Sequence, residues 1–187
     1  MKYNRLPHSV FTQHRQRFMA KLKSNSIAVF NSNDIYPISA DSTLPFEQHR
    51  DLFYLTGIDQ EETIVVLCPD AKDPALREVV FVKETNAHIA VWEGHKLTQA
   101  EATEVSGIAT VKWTSEFEDH FLALAKEVEH IYINTNEHYR ANVETQTRED
   151  RFIDWCKTKF PTHNYEKSNL ILQGLRAVKD PEEIEHI

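Results

Sequence analysis

The chain has 187 residues, 41% hydrophobic and 27% charged, with ten phenylalanines and three tryptophans, a composition that fits one folded domain and excludes a disordered segment. Its net charge of −8 is uneven: residues 1–30 hold six Lys/Arg and no Asp/Glu, leaving 15 basic and 29 acidic residues in the rest. So acidic a body disfavours nucleic acid, and no apolar run approaches the ~18–20 residues of a membrane span.

In chain order, Phe11, Phe18 and Leu22 share one face of a helix predicted over residues 9–23, followed by an apolar strand over 27–30. That continuity reads the basic start as part of the fold and not as a transit peptide. Residues 31–45 are polar and turn-rich. Residues 52–55 read as a short strand closed at Gly57, 62–68 as a buried strand, and 69–74 as a loop. The strand over 78–83 is apolar on both faces, with Val79 and Phe81 on one and Val80 and Val82 on the other, as in the middle of a covered sheet. Helices are predicted over 98–106 and 116–128, the second with the stripe Phe117, Phe121, Leu124 and Val128. A strand over 130–133 precedes a helix near 146–157 that turns Phe152, Ile153 and Cys156 inward. Alternation of strands with helices predicts an α/β fold whose mixed sheet is parallel at least in part.

At the end, Asp180-Pro181-Glu182-Glu183 has the features of a helix start: an Asp cap, Pro at the first helical position and two acids against the dipole. One turn with nothing to bury is not stable alone. Residues 180–187 are therefore expected to be frayed here and to continue in a longer protein.

Much familiar chemistry is missing. Four glycines, at 57, 94, 107 and 174, make no phosphate cradle, and no zinc-binding or serine-nucleophile motif occurs. The ligand-like pairs Glu116/His120 and His88/His95 read as a solvated helix side and as exposed loop and strand-end residues. Cys68 and Cys156 lack an adjacent base and fit free, mostly buried thiols in a reducing compartment, hence a cytoplasmic protein.

The segment 40–57, Ala-Asp-Ser-Thr-Leu-Pro-Phe-Glu-Gln-His-Arg-Asp-Leu-Phe-Tyr-Leu-Thr-Gly, is the most distinctive. It resembles the signature of the N-terminal domain of aminopeptidase P, in the creatinase/prolidase group. Further blocks follow in the family's order: the first helix with its Asn-Ser turn near 17–26, the strand over 63–68, the tryptophan-glycine loop Val91-Trp92-Glu93-Gly94, and the linker over 175–184. Arg50 and Phe46 stand where the family often has Asn or Ser and Tyr.

The resemblance implies a ribonuclease-H-like α/β domain over residues 1–173, with 174–187 leading into a C-terminal catalytic domain. It implies that this chain is the non-catalytic part of a Xaa-Pro aminopeptidase, gating substrate and supporting a homo-oligomer, a dimer or tetramer. The reaction would use a dinuclear manganese centre in the catalytic domain, none of whose ligands falls here. Expected partners are that domain and proline-containing peptides. Three residues are assigned to the substrate channel: Asp41 for a peptide's α-ammonium, Trp92 for stacking on proline, and Tyr54 of the aromatic strand. Each has an ordinary alternative, a turn cap for Asp41 and a strand core position for Trp92 and Tyr54. Arg50 and Asp51 are candidates for a local ion pair. The alternative functions are a peptide-binding pseudo-peptidase module and a prolidase or creatinase relative; a free-standing ribonuclease-H-like hydrolase would need carboxylates clustered at strand ends.

Overall fold

The computed structural model describes residues 5–138, 140 and 144–185. One six-stranded sheet contains β1 (Ser26–Asn31), β4 (Ile64–Leu67), β5 (Glu78–Val82), β6 (Thr110–Trp113), β7 (His130–Ile133) and β8 (Asn164–Lys167), in the order β6-β5-β4-β1-β7-β8. A separate hairpin pairs β2 (Pro37–Ser39) with β3 (Ser42–Thr43). Strand β4 runs antiparallel to both its neighbours, β5 and β1, whereas β1-β7, β7-β8 and β5-β6 are parallel pairs. This is the mixed, helix-flanked sheet that the alternation predicts. All six residues of β1 are buried, because this strand lies inside the sheet and is covered on both faces.

The two covers are distinct. On one face Ile27, Val29, Val66, Val79, Phe81 and Ile131 pack against α5 (Phe117–Ala125) and α6 (Arg148–Lys159). On the other, Ala28, Phe30, Val65, Val80, Val82 and Tyr132 pack against α1 (His8–Met19), α2 (Arg50–Thr56), α4 (Gln99–Ser106) and α7 (Asn169–Ala177). The period-2 split of Val79/Phe81 from Val80/Val82 thus holds. Phe121 is fully buried among Phe117, Phe152, Trp155 and Phe160. Phe152, Ile153 and Cys156 point inward from α6 as predicted.

Four local readings are corrected. Residues 52–55 are helical: His49 Nδ1 accepts the Asp51 N–H at 3.3 Å to start α2, and Gly57, at φ 68°, closes it. Leu52 and Leu55, both fully buried, lie three apart, a spacing that shares one face of a helix and falls on opposite faces of a strand. Trp92 belongs to α3 (Ala87–Glu93), capped by Asn86, and is 80% exposed; it is not a core strand residue. His120 is half-buried, with its ring edge-on to Phe81 at 5.3 Å, so it does not lie on a solvated side. Asp51 pairs with Arg176 at 2.8 Å instead of its neighbour Arg50.

Helix α1 organises one end of the molecule. Arg15 is fully buried and donates from Nη1 to the Leu55 and Ser106 carbonyls, at 2.8 and 2.9 Å, and from Nε to Glu78 at 2.9 Å. Those carbonyls lie in the last turns of α2 and α4, where intrahelical donors run out and the dipole is negative. One guanidinium therefore caps two helices. Both helices close on left-handed glycines, Gly57 and Gly107, against the same face of α1: a Cβ at Gly57 would overlap the Phe11 ring, and one at Gly107 would meet Thr12 and His8.

Candidate functional site

Two polar regions stand out, and neither coincides with a predicted site residue alone. The first lies at the carboxyl ends of β1 and β7, where the chain after β1 turns to one side of the sheet and the chain after β7 to the other. Such switch points open a crevice. Here Asn33, His49, Asn134, Thr135 and Asn136 line it. Glu149, in the first turn of α6, accepts the Asn31 backbone N–H at 2.9 Å and its side-chain N–H at 3.1 Å. Asp51 accepts from Asn134 at 3.0 Å and from Arg176. Burial pushes the Glu149 carboxyl up to about 7, against the pull of its Asn31 bonds, and burial lowers His49. Each carboxylate is held by donors, and among the described residues no third acidic, His or Cys ligand joins them.

The second region joins α1 to the chain end. Asp180 caps α8 (Pro181–Ile184) in a box with Glu183. Arg17 reaches both Asp180 oxygens at 2.9 Å, and His14 Nε2 lies 3.1 Å from Oδ2. This corrects the expectation of a frayed segment for Asp180, which α1 tethers; residues 186 and 187 lie outside the described residues. His14, Asp180 and Glu183 are the one three-ligand group among the described residues. Asp180 already accepts from Arg17, and Glu183 Oε2 accepts the Asp180 N–H at 2.8 Å. Such a set does not fit a dinuclear manganese centre, which needs several free carboxylates.

Tyr54 lies on α2, buried, its ring stacked on His14 at 3.7 Å. It lines a cavity of about 470 Å³ with His14, Arg50, Arg176, Lys179 and Glu183, and burial pushes its hydroxyl up to about 12. Asp41 occupies the two-residue turn of the β2-β3 hairpin and is exposed. Asp41 and Trp92 line neither this cavity nor the crevice, so the three predicted channel residues sit on three separate elements. His88 is exposed, and His95 pairs with Glu101 at 3.2 Å. Both cysteines are free and buried, their thiols raised to about 11 for Cys68 and about 12 for Cys156, chiefly by burial. No helix among the described residues is long and apolar enough to cross a membrane.

A family model described as the N-terminal domain of aminopeptidase P matches residues 11–132. The chain belongs to that family. Xaa-Pro aminopeptidase of Escherichia coli is 24% identical over 93% of this chain and 40% of its own length. Human Xaa-Pro aminopeptidase 3 is 22% identical over 88% and 32%. A Bacillus anthracis structure assigned as an aminopeptidase P superposes with a TM-score of 0.84 at 24% identity, over 96% of this chain and 42% of that one. The Pseudomonas aeruginosa aminopeptidase gives 0.77 at 22%, over 97% and 41%. These structural likenesses carry the fold. The chain spans about two fifths of the length of the first of these relatives.

Within the aminopeptidase P N-terminal domain so defined, sequence reasoning missed His14, Arg15, Glu149 and Arg176. A signal existed for the first two: Phe11, His14, Arg15 and Phe18 fall at i, i+3, i+4 and i+7, which puts a charge and an imidazole on the buried face of α1. Nothing local marks Glu149 or Arg176, whose partners are distant in sequence.

Proposed function

We propose that this chain is the non-catalytic N-terminal domain of a Xaa-Pro aminopeptidase, covering the entrance to an active site carried by a following domain and supporting an oligomer. The observation that carries the reading is the family match over residues 11–132, with relatives named Xaa-Pro aminopeptidase aligned along most of the chain. The chemistry of the domain agrees with a binding role: both thiols are buried, and the carboxylates at the sheet end are held by donors. The dinuclear manganese expected of the parent enzyme belongs to that following domain. There it would activate the water that attacks the bond before proline.

Asp41 and Trp92 are the groups this domain offers to substrate. An exposed carboxylate at a hairpin tip attracts the free α-ammonium that an aminopeptidase must recognise. An exposed indole offers a flat face to proline. Apolar Leu170, Val178 and Ile184, exposed by 64%, 73% and 61%, support docking of the catalytic domain against the chain end. The buried thiols support a reducing, cytoplasmic setting.

The test uses the full-length enzyme. Asp41→Asn and Trp92→Ala should each lower kcat/KM on a Xaa-Pro-Xaa tripeptide by roughly 3- to 30-fold, with metal content and Tm nearly unchanged. Unchanged kinetics with unchanged stability would remove both residues from the site. The 187-residue chain alone, given excess Mn²⁺, should release no amino acid above a blank; turnover surviving repurification would overturn the non-catalytic reading.

A further inference from the structure

We propose that the crevice at the carboxyl ends of β1 and β7 is a binding site for an amide group, which donates to Asn134 Oδ1 and accepts from His49 Nε2. The site uses this chain's own residues and stands apart from the peptidase reading.

Asp51 fixes both groups. Its carboxylate accepts from Asn134 Nδ2 at 3.0 Å and from Arg176 at 2.8 Å. A carboxylate only accepts, so the Asn134 amide has one orientation, with its oxygen turned away from Asp51. That oxygen accepts from no described residue, although Asn134 is 2% exposed and lines the crevice. The Asp51 backbone N–H donates to His49 Nδ1 at 3.3 Å. Nδ1 is therefore the bare nitrogen of a neutral ring, and Nε2 carries the hydrogen. Burial, which lowers the His49 pKa, keeps the ring in that form at neutral pH. His49 lines the same crevice, and its Nε2–H has no partner among the described residues.

The neighbours are already engaged. Asn33 Nδ2 donates to the Glu47 carbonyl at 2.9 Å and Thr135 Oγ1 to Glu137 at 3.0 Å, while Asn136 Oδ1 accepts the His138 N–H at 3.2 Å. Glu149 is held by Asn31, and Arg148 Nη1 donates to Ser32 at 3.0 Å. That leaves Asn134 Oδ1 and His49 Nε2–H as a pair held in place but unmet. A buried carbonyl oxygen without a donor is costly, and a ligand N–H removes the cost. A charged ligand would give up its hydration for two neutral groups. An amide is neutral and carries both the N–H and the C=O that this pair requires.

The space suits such a ligand. The crevice holds about 610 Å³ beside the start of α6, within the ~300–1,000 Å³ of small-molecule sites, and a switch point is where an open α/β sheet takes its ligands. The amide comes either from a peptide backbone or from a small carboxamide, and the experiment separates the two.

Binding to the 187-residue chain is read at pH 7 by nitrogen–proton NMR, through the Asn134 side-chain amide and the backbone amides of Asn31 and Thr135. Acetamide should shift these signals saturably, with a Kd of roughly 1–10 mM, within reach of so small a ligand. Acetate has the same shape and no N–H, and should bind at least about tenfold more weakly. N-methylacetamide stands for a peptide bond: binding within about tenfold of acetamide assigns the site to a peptide backbone, and weaker binding assigns it to a primary carboxamide. His49→Ser keeps a standard cap for α2 and removes Nε2–H, whereas Asn134→Leu removes the acceptor. Each should weaken acetamide binding about tenfold; if Asn134→Leu fails to fold, His49→Ser decides. The proposal is overturned if neither amide gives a saturable shift up to about 100 mM, if acetate binds as tightly as acetamide, or if His49→Ser binds acetamide like the wild type. Shifts confined to residues outside the crevice also overturn it.

Discussion

Arg15→Ala should be the most damaging single change on α1. The side chain is fully buried, and its removal strands the Leu55 and Ser106 carbonyls at two helix ends while leaving a cavity beneath them. Each orphaned buried acceptor costs about 1–3 kcal/mol. Glu78, 23% exposed, recovers part of its loss by hydration. The sum is about 3–5 kcal/mol, the range for breaking one side of a buried ion pair, and a large share of the ~5–15 kcal/mol that holds an ordinary domain together. Arg15→Met keeps volume but leaves the carbonyls unmet, and should cost about 2–4 kcal/mol. Arg15→Lys keeps the charge but loses the fork, and should fall below Arg15→Met. Urea unfolding followed by circular dichroism at pH 7 gives the ranking, with an unchanged slope m to show that the same surface unfolds. A midpoint for Arg15→Ala within error of wild type, or Arg15→Lys as costly as Arg15→Ala, would refute the double cap.

Glu149 ties stability to pH with a definite sign. Its folded-state value of about 7 lies above the ordinary ~4.3, so its contribution is present below about pH 4.5 and is lost as pH rises through about 7. Glu149→Gln should flatten that slope and be the more stable protein at pH 8; an identical pH profile for both proteins would contradict it. Gly57→Ala combines φ 68° with overlap of the Phe11 ring and should cost about 2–4 kcal/mol, read as a Tm drop; no drop would mean that α1 does not press on this turn. Cys68 and Cys156, raised to about 11 and about 12, should not react with a thiol reagent at pH 8 until urea unfolds the domain, and fast labelling of either in the native state would place it at the surface.

What the sequence made legible was what depends on periodicity. The central strands, helices α5 and α6, and the two faces of β5 follow from repeats of 2 and 3.6, because burial in a layered sheet acts on every residue of such an element. Short elements escaped. Helix α2 is seven residues long and carries adjacent aromatics, Phe53 and Tyr54, residue types that favour a strand reading, and the His49 cap that starts it is not a standard N-cap residue. Helix α3 has no buried residue and hence no stripe to detect. Edge strands β6 and β8 are four residues each and only partly buried, so they lack the continuous apolar run that marks the interior strands.

The polar clusters were hidden for a different reason. Asp51 finds Arg176 across 125 residues, Glu149 finds Asn31 across 118, and His14 finds Asp180 across 166. Local rules assign a charged side chain to solvent or to its neighbour three or four residues away, because those are the partners that secondary structure supplies. Burial reverses that preference: once a helix face is pressed onto a sheet, a charge on it is tolerated only where donors and acceptors from other elements converge. Arg15 and His14 show the consequence. Both sit where the helical pattern demands apolar residues, and each is kept there by carbonyls or carboxylates at the ends of other helices. A polar residue at a core position of an otherwise regular amphipathic helix is therefore the sequence sign of a junction between elements.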